Sequence, residues 1–176
     1  GIERVGVPAA WDGLQLSRDG NHQTALKQFE AAIREDANFA LAYSALAQTY
    51  STLGYDAQAT QQSRRAIGMS ESLPPQERYV IAATHYRITN DNAKGIDTYE
   101  KLLKVSPNNA RIQFELAELY EGTGDLAGAQ EHFAKAVALD PKHVEGLTAV
   151  GRIAIRRGDP KASFQPLNNA LSLSIQ

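Results

Sequence analysis

Three glutamates, Glu115, Glu118 and Glu121, form the pattern in this sequence that comes nearest to a catalytic or metal-binding site. Paired carboxylates can carry out acid–base catalysis or bind calcium. At this spacing on a helix, the three side chains lie on a surface away from the apolar stripe. Charged residues in such positions are usually solvated, so we interpret the glutamates as surface and not as an active site.

Other residues capable of chemistry are scattered. His22, His85, His132 and His143 lack the i, i+4 pairing and the carboxylate companion that a helical metal site uses. The chain has no cysteine, which excludes disulfides and thiolate catalysis. The nearest approach to a phosphate-binding glycine loop is Gly122-Thr123-Gly124, at a predicted helix end. The sequence therefore predicts a protein that is not an enzyme, with no metal and no cofactor.

Composition restricts the partners. The 18 basic and 20 acidic residues are interspersed and give a net charge of -2, so no global field attracts nucleic acid. No stretch approaches the roughly 18 apolar residues of a membrane span, and we expect no direct membrane insertion. Because the chain begins with Gly1, we expect a fragment of a longer protein. Its compartment, cytoplasmic or extracytoplasmic, stays open.

The elements that position these side chains follow a fixed period. One column suits the left-handed residue that ends a helix, where glycine is favoured and asparagine is tolerated. The next column is rich in residues that cap the start of a new helix. The first column is Gly20, Gly54, Asn90, Gly124 and Gly158, at intervals of 34, 36, 34 and 34 residues. The second is Asn21, Tyr55, Asp91, Asp125 and Asp159.

Each repeat has two apolar stripes at helical spacing. In the second helix of every repeat, a small residue allows close approach. A position that is bulky in most repeats follows one turn later, and an apolar position follows after two turns. The small residues are Ala25, Ala59, Gly95, Ala129 and Ser163. The later positions are Phe29, Ser63, Tyr99, Phe133 and Leu167, then Ala32, Ala66, Leu102, Ala136 and Ala170. The predicted stripes of the first helices include Tyr79, Ala82, Ala83 and Tyr86 in the third repeat.

These columns resemble the tetratricopeptide repeat (TPR) pattern W-x2-L-G-x2-Y…A-x3-F…P over roughly residues 6–176. The match is best from Ala110 to His143, whereas Asp12, Ala154 and Pro166 depart from it, and Pro166 predicts a kink or a late helix start. The resemblance implies an all-α fold, a right-handed α-α superhelix of about five hairpins. These form one array over 1–176, with repeats at about 6–39, 40–75, 76–109, 110–143 and 144–176.

In the superhelix that the resemblance implies, the first helices line a concave groove. Its surface suits an extended peptide, so we expect a non-catalytic scaffold for protein–protein interaction. Polar groups there could meet a peptide backbone, and Phe114 either anchors an apolar side chain or packs between repeats. The groove candidates are Gln48, Thr84, Arg87, Phe114, Glu118 and Arg152, within a longer set that includes Ala10, Leu14 and Ser44.

The alternative function is a structural or oligomerising spacer. The last helix has no polar capping helix after it, which predicts an exposed apolar stripe that is covered either by further repeats or by another copy, as a homo-oligomer through that end. The stripe is Leu167, Ala170, Leu171, Leu173 and Ile175. The segment Leu73–Tyr79 is similar to one in TPR regions of multidomain bacterial signalling proteins, so the resemblance implies that the spacer belongs to such a protein.

Overall fold

The computed structural model describes residues 13, 16–17 and 19–175, which form helices and the turns between them, with no strand among them. The all-α prediction is confirmed. In chain order the helices are α1 (His22–Glu35), α2 (Ala40–Thr52), α3 (Asp56–Gly68), α4 (Pro75–Ile88), α5 (Asn92–Val105), α6 (Ala110–Gly122), α7 (Leu126–Leu139), α8 (Val144–Arg156) and α9 (Phe164–Ser174), with a 3-10 helix over Lys161–Ser163 before α9.

The chain divides into two compact units, Gly1–Asp91 and Asn92–Gln176. In the first unit, α2 and α3 form a hairpin; α1 packs against α2, and α4 packs against both members of the hairpin. In the second unit, α6 pairs with α7 and α8 pairs with α9, while α5 packs against α6 and α7 against α8. Each unit therefore contains helical hairpins that pack on neighbouring helices. The continuity of one array over 1–176 stays a prediction.

The turns inside the repeats follow the predicted column. Gly20, Gly54, Asn90, Gly124 and Gly158 all have a positive φ, between 56° and 84°. After four of them the next residue donates its N–H to a carbonyl five residues back, as Tyr55 does to Tyr50 at 2.8 Å. This is the hydrogen bond of a Schellman helix end, which requires a left-handed residue. The glycine column thus ends the first helix of each repeat.

Side-chain caps begin the second helices at several of the predicted positions. Asn21 accepts from the backbone N–H of Thr24 at 3.4 Å, and Asp125 from that of Gly128 at 2.9 Å. Asp159 accepts likewise from Ala162 at 3.2 Å. Tyr55, the one member of the column without a suitable oxygen, makes no side-chain cap. The capping prediction is therefore confirmed at Asn21, Asp125 and Asp159.

The small-residue column is buried throughout: Ala25, Ala59 and Ala129 are 0 % exposed, Ser163 is 4 % exposed, and Gly95 is also buried. Bulky neighbours from the same helices fill the space around them. Ala117, on the first helix of its hairpin, shares an apolar cluster with Ala129 and Phe133 on the second. Small side chains thus stand where the two helices of a hairpin meet, and the core forms around them.

The third repeat departs from the predicted register. The structure buries Ile81 and Ala83, each 1 % exposed, whereas Tyr79 and Ala82 are only half-buried. Ile81 packs in a cluster with Tyr43 and other buried residues of the first unit. The predicted stripe was wrong at Ala82 because α4 places Ile81, and not Ala82, in the cluster with Tyr43.

Two further expectations are settled by the described residues. Pro166 does delay the last helix, which begins at Phe164 after a 3-10 turn that spans Lys161–Ser163. Ser44, which we expected in the groove, is 5 % exposed on α2, so this expectation was wrong. The groove candidates Ala10 and Leu14, and Asp12, which departs from the repeat pattern, lie outside the described residues.

Candidate functional site

The first unit brings together three of the predicted groove residues on two helices in contact. Gln48 lies on α2, and Thr84 and Arg87 lie on α4, which packs against α2. All three are half-buried, and Val80, one turn before Thr84, is 38 % exposed. Val80, Thr84 and Arg87 follow the i, i+4, i+7 spacing of one helix face. The face they form with Gln48 is mixed in polarity, with one cationic group.

In the second unit, Glu118 on α6 and Arg152 on α8 belong to a charged cluster. Arg152 donates from Nε and Nη2 to the two oxygens of Glu121, at 3.1 and 2.6 Å. Arg156 Nη1 donates to Glu121 Oε1 at 2.5 Å. The guanidinium fork of Arg152 is therefore held by Glu121, and the negative charge of Glu118 also acts on it. This cluster links the first helices of two consecutive repeats.

The pKa of Glu121 lies below its ordinary value because of these arginines. Partial burial by itself raises the pKa of this carboxyl, but the hydrogen bonds and positive charges of Arg152 and Arg156 outweigh burial and lower it. The Glu121 side chain is 16 % exposed, against 50 % and 45 % for the two arginine side chains. The ion pairs are thus partly protected from solvent on the glutamate side only.

Phe114 is occupied by packing. Its ring centroid lies 5.3 Å from that of Phe133 and 4.8 Å from that of His143, edge-to-face with the histidine. It joins the cluster that contains Ala117 and Ile153, on α6 and α8. Of the two roles predicted for Phe114, packing between repeats is the one with described contacts, while anchoring a ligand stays a prediction.

Two of the three glutamates singled out in the sequence, Glu115 and Glu121, make structural contacts. Glu115 accepts from the hydroxyl of Tyr99 and from Nε of Arg111, both at 2.7 Å, and Glu121 binds two arginines as described. Among the described residues, no three histidine, aspartate or glutamate side chains are placed to hold a metal ion. In this structure Glu115 and Glu121 thus join neighbouring helices.

A recurring tyrosine–glutamate bridge was not predicted. The hydroxyl of Tyr50 donates to Glu30 at 3.4 Å, and that of Tyr120 to Glu100 at 2.9 Å. Each bridge joins the first helix of one repeat to the second helix of the repeat before it, 20 residues earlier. Burial, followed by the hydrogen bond to Glu100 and nearby carboxylates, raises the pKa of Tyr120 to about 12. The sequence signal was a glutamate directly after the bulky column, in repeats one and three.

Two histidines, His85 and His132, make polar contacts between helices. His85 Nδ1 lies 3.0 Å from the Ser63 hydroxyl, and His132 Nδ1 lies 2.7 Å from Oε1 of Gln113. The His132 ring also stacks on Tyr120, with centroids 5.4 Å apart. Burial, with the charge of Lys135, lowers the pKa of His132, which keeps the ring neutral at pH 7.

Glu121→Gln should make the chain less stable at neutral pH, by about 1–2 kcal/mol, because it removes the charge between two arginines. A carboxyl whose pKa is lowered in the folded state stabilises the fold at pH values above its ordinary pKa of 4.5. This stabilisation is lost as the pH falls through the folded-state pKa. Urea unfolding from pH 7 to strong acid should therefore show the two proteins converging. Glu131→Gln, in the exposed pair with Lys135, is the control and should change stability less. A pH-independent difference would contradict this account.

None of the helices in the described part of the chain is both long enough and apolar enough to cross a membrane.

The sequence and structure are similar to known proteins with the same repeat. A family model described as "Tetratricopeptide repeat" matches residues 89–153. TPR repeat-containing protein PA0015 of Pseudomonas aeruginosa is 31 % identical over 77 residues, which are 44 % of this chain and 73 % of that protein. Cellulose synthase operon protein C of Pseudomonas fluorescens is 28 % identical over 171 residues, or 97 % of this chain. The chain spans only 12 % of that relative's length.

Among solved structures, the TPR protein TTC0263 of Thermus thermophilus has a TM-score of 0.75 at 18 % identity, with 97 % of this chain and 92 % of that chain covered. At this identity the likeness concerns the fold. It agrees with the glycine column, the small-residue column and the hairpins described above. The chain belongs to the tetratricopeptide repeat family.

Proposed function

We propose that this chain is a non-catalytic scaffold that binds an extended segment of another protein on the first helices of its repeats. Proteins of the TPR family generally mediate interactions between proteins. The observation that carries the proposal is the mixed face of the first unit, where Gln48, Thr84 and Arg87 are half-buried on two helices in contact. Half-buried polar groups on a rigid scaffold are well placed to bind a peptide without a large loss of side-chain entropy.

An extended peptide presents backbone N–H and C=O groups that need partners. The Gln48 amide can donate and accept, and the Thr84 hydroxyl can do both as well. Arg87 adds a positive charge, while Val80 offers an exposed apolar contact. This combination favours a peptide that presents its backbone groups beside an apolar side chain.

The second unit supplies its own candidates on α6 and α8. Arg152, held by Glu121, is pre-oriented, and Glu118 lies near enough to act on its charge. A peptide bound here would meet charges of both signs. The part of the Phe114 ring that packing leaves exposed is the candidate anchor for an apolar side chain.

The second candidate function is a structural or oligomerising spacer within a larger bacterial signalling protein. It is favoured by exposed apolar side chains around the last helix: Phe164 is 65 % exposed, Leu171 59 % and Ile175 76 %. Ala170, in contrast, is buried, so only part of the predicted stripe is open. Exposed apolar groups of this kind are covered in many proteins by another copy or by a further repeat.

Peptide binding on the first helices is tested with a phage-displayed library of random peptides selected on the intact chain. Gln48→Ala and Thr84→Ala should each weaken the selected peptides about tenfold in fluorescence anisotropy, because each removes a hydrogen-bonding group. Gln61→Ala, at an exposed position of the second helix α3, is the matched control and should leave affinity unchanged. Equal affinities for all three variants would rule out this surface.

Self-association is tested by sedimentation equilibrium. If the spacer function holds, the chain should dimerise, and Leu171→Asp should return it to the 19.2 kDa monomer by placing a charge in the apolar contact. Val105→Asp introduces the same charge at a 50 % exposed position elsewhere and should leave the dimer intact. A strict monomer at high concentration excludes the spacer function through this end.

A further inference from the structure

The first unit contains an open cavity of about 270 Å³ between α1, α2 and α3. Its walls include two arginines, Arg34 and Arg65, a glutamine, Gln62, and the apolar side chains of Ile33 and Leu46. Such a cavity, part apolar and part charged, has the composition of a ligand-binding site. Its volume matches one or two side chains of a bound peptide.

At this cavity, Gln62 has a side-chain oxygen without a described hydrogen-bond partner. Its Oε1 atom is buried and has no hydrogen-bond partner among the described residues. Buried polar atoms in folded proteins are nearly always paired, and an unpaired one destabilises the fold. Gln62 lines the cavity, so a rotation of its side-chain amide would bring Oε1 to a ligand that donates an N–H there, which would supply the missing partner.

The charge of the cavity favours an anion. In the part of the chain that the structure describes, neither Arg34 nor Arg65 forms an ion pair. Glu30 also lines the cavity, but it accepts the hydroxyl of Tyr50 at 3.4 Å, and the two arginines leave these walls with a net positive charge. Arginine guanidinium groups bind carboxylates with two parallel hydrogen bonds, a geometry suited to one carboxylate held at the cavity mouth.

We propose that this cavity binds a peptide carboxylate that is carried close to an amide N–H, as an acidic residue or a chain terminus carries it. The carboxylate is bound by Arg34 and Arg65, and the N–H donates to Gln62 Oε1. An apolar side chain beside the acidic group contacts Ile33 and Leu46. The ligand class is therefore a peptide with neighbouring acidic and apolar groups.

This site is separate from the peptide-binding surface proposed above and does not depend on it. On α2, the cavity is lined by Tyr43, Leu46 and Tyr50, whereas Gln48 belongs to the other surface. At about 100° per residue, Gln48 is displaced from that lining by about 165° around the helix axis. The other two walls come from α1 and α3, the second helices of their repeats. The chain would thus bind peptides on two sides of α2.

The test is a nuclear magnetic resonance titration of the intact chain with the probe acetyl-Leu-Glu-amide. The Gln62 side-chain amide and the Nε–H groups of Arg34 and Arg65 should shift on binding. Arg34→Gln and Arg65→Gln should each weaken binding at least about fivefold, because each removes one half of the carboxylate site. Both arginines are exposed, so their replacement leaves the fold intact, and the spectrum verifies this.

The matched control is Arg64→Gln, which changes an exposed arginine of the same helix that does not line the cavity, and should leave affinity unchanged. Gln62→Leu keeps the arginines but removes the acceptor, and should weaken binding without destabilising the chain. A second probe, acetyl-Leu-Ala with a free terminal carboxylate, tells the two sources of the carboxylate apart: preferential binding of either probe supports the site and identifies its source.

Three results would overturn the site. One is equal binding of the neutral probe acetyl-Leu-Gln-amide, and another is equal loss of affinity in Arg64→Gln. The third is loss of dipeptide affinity in the Gln48→Ala variant, which would show that the dipeptide binds to the other surface of α2. If the Gln48→Ala variant binds the phage-selected peptides as tightly as the original chain does, the results expected for the dipeptide probes do not change. The two proposals can therefore fail separately.

Discussion

Close contact between the two helices of a hairpin is the constraint on which the rest of this structure depends. Ala117 and Ala129 are both 0 % exposed and share one cluster across α6 and α7. Side chains this small let the helices approach until their bulkier neighbours interlock, as Phe133 does at 0 % exposure. The left-handed Gly124 supplies the tight turn that brings the same two helices back together.

Within the second unit, polar bridges then join α6 to the helices on either side of it. Tyr120 reaches Glu100 on the preceding helix pair, and Glu121 holds Arg152 on the following one. Tyr120 and Glu121 are adjacent in α6, yet one bonds to the preceding helix α5 and the other to the later helix α8, so α6 is held on both sides. The exposed parts of α6 and α8 are thereby held in a defined arrangement, which is what a peptide-binding surface requires.

Features set by the local period could be predicted from the sequence. The left-handed glycines, the caps at Asn21 and Asp125, and the buried small residues each depend on a few neighbours along the chain. In α4 the repeat pattern predicted burial of Ala82, and Ile81, which the structure buries, was missed. The Tyr–Glu bridges and the Gln62 cavity depend on side-chain directions across separate helices, which no repeat pattern specifies. The groove candidates stay a prediction, and the sequence did not predict the hydrogen bonds of Arg152 to Glu121 or the contact of Phe114 with Phe133.

The most direct measurement of the central constraint compares the urea unfolding of Ala129→Leu and Ala127→Leu. Both enlarge an alanine of α7 by the same amount, but Ala129 is buried where the helices meet and Ala127 is exposed. Ala129→Leu should lower the free energy of unfolding by about 1–3 kcal/mol or more through overpacking, whereas Ala127→Leu should change it by less than about 0.5 kcal/mol. Equal stabilities for the two variants would contradict the account.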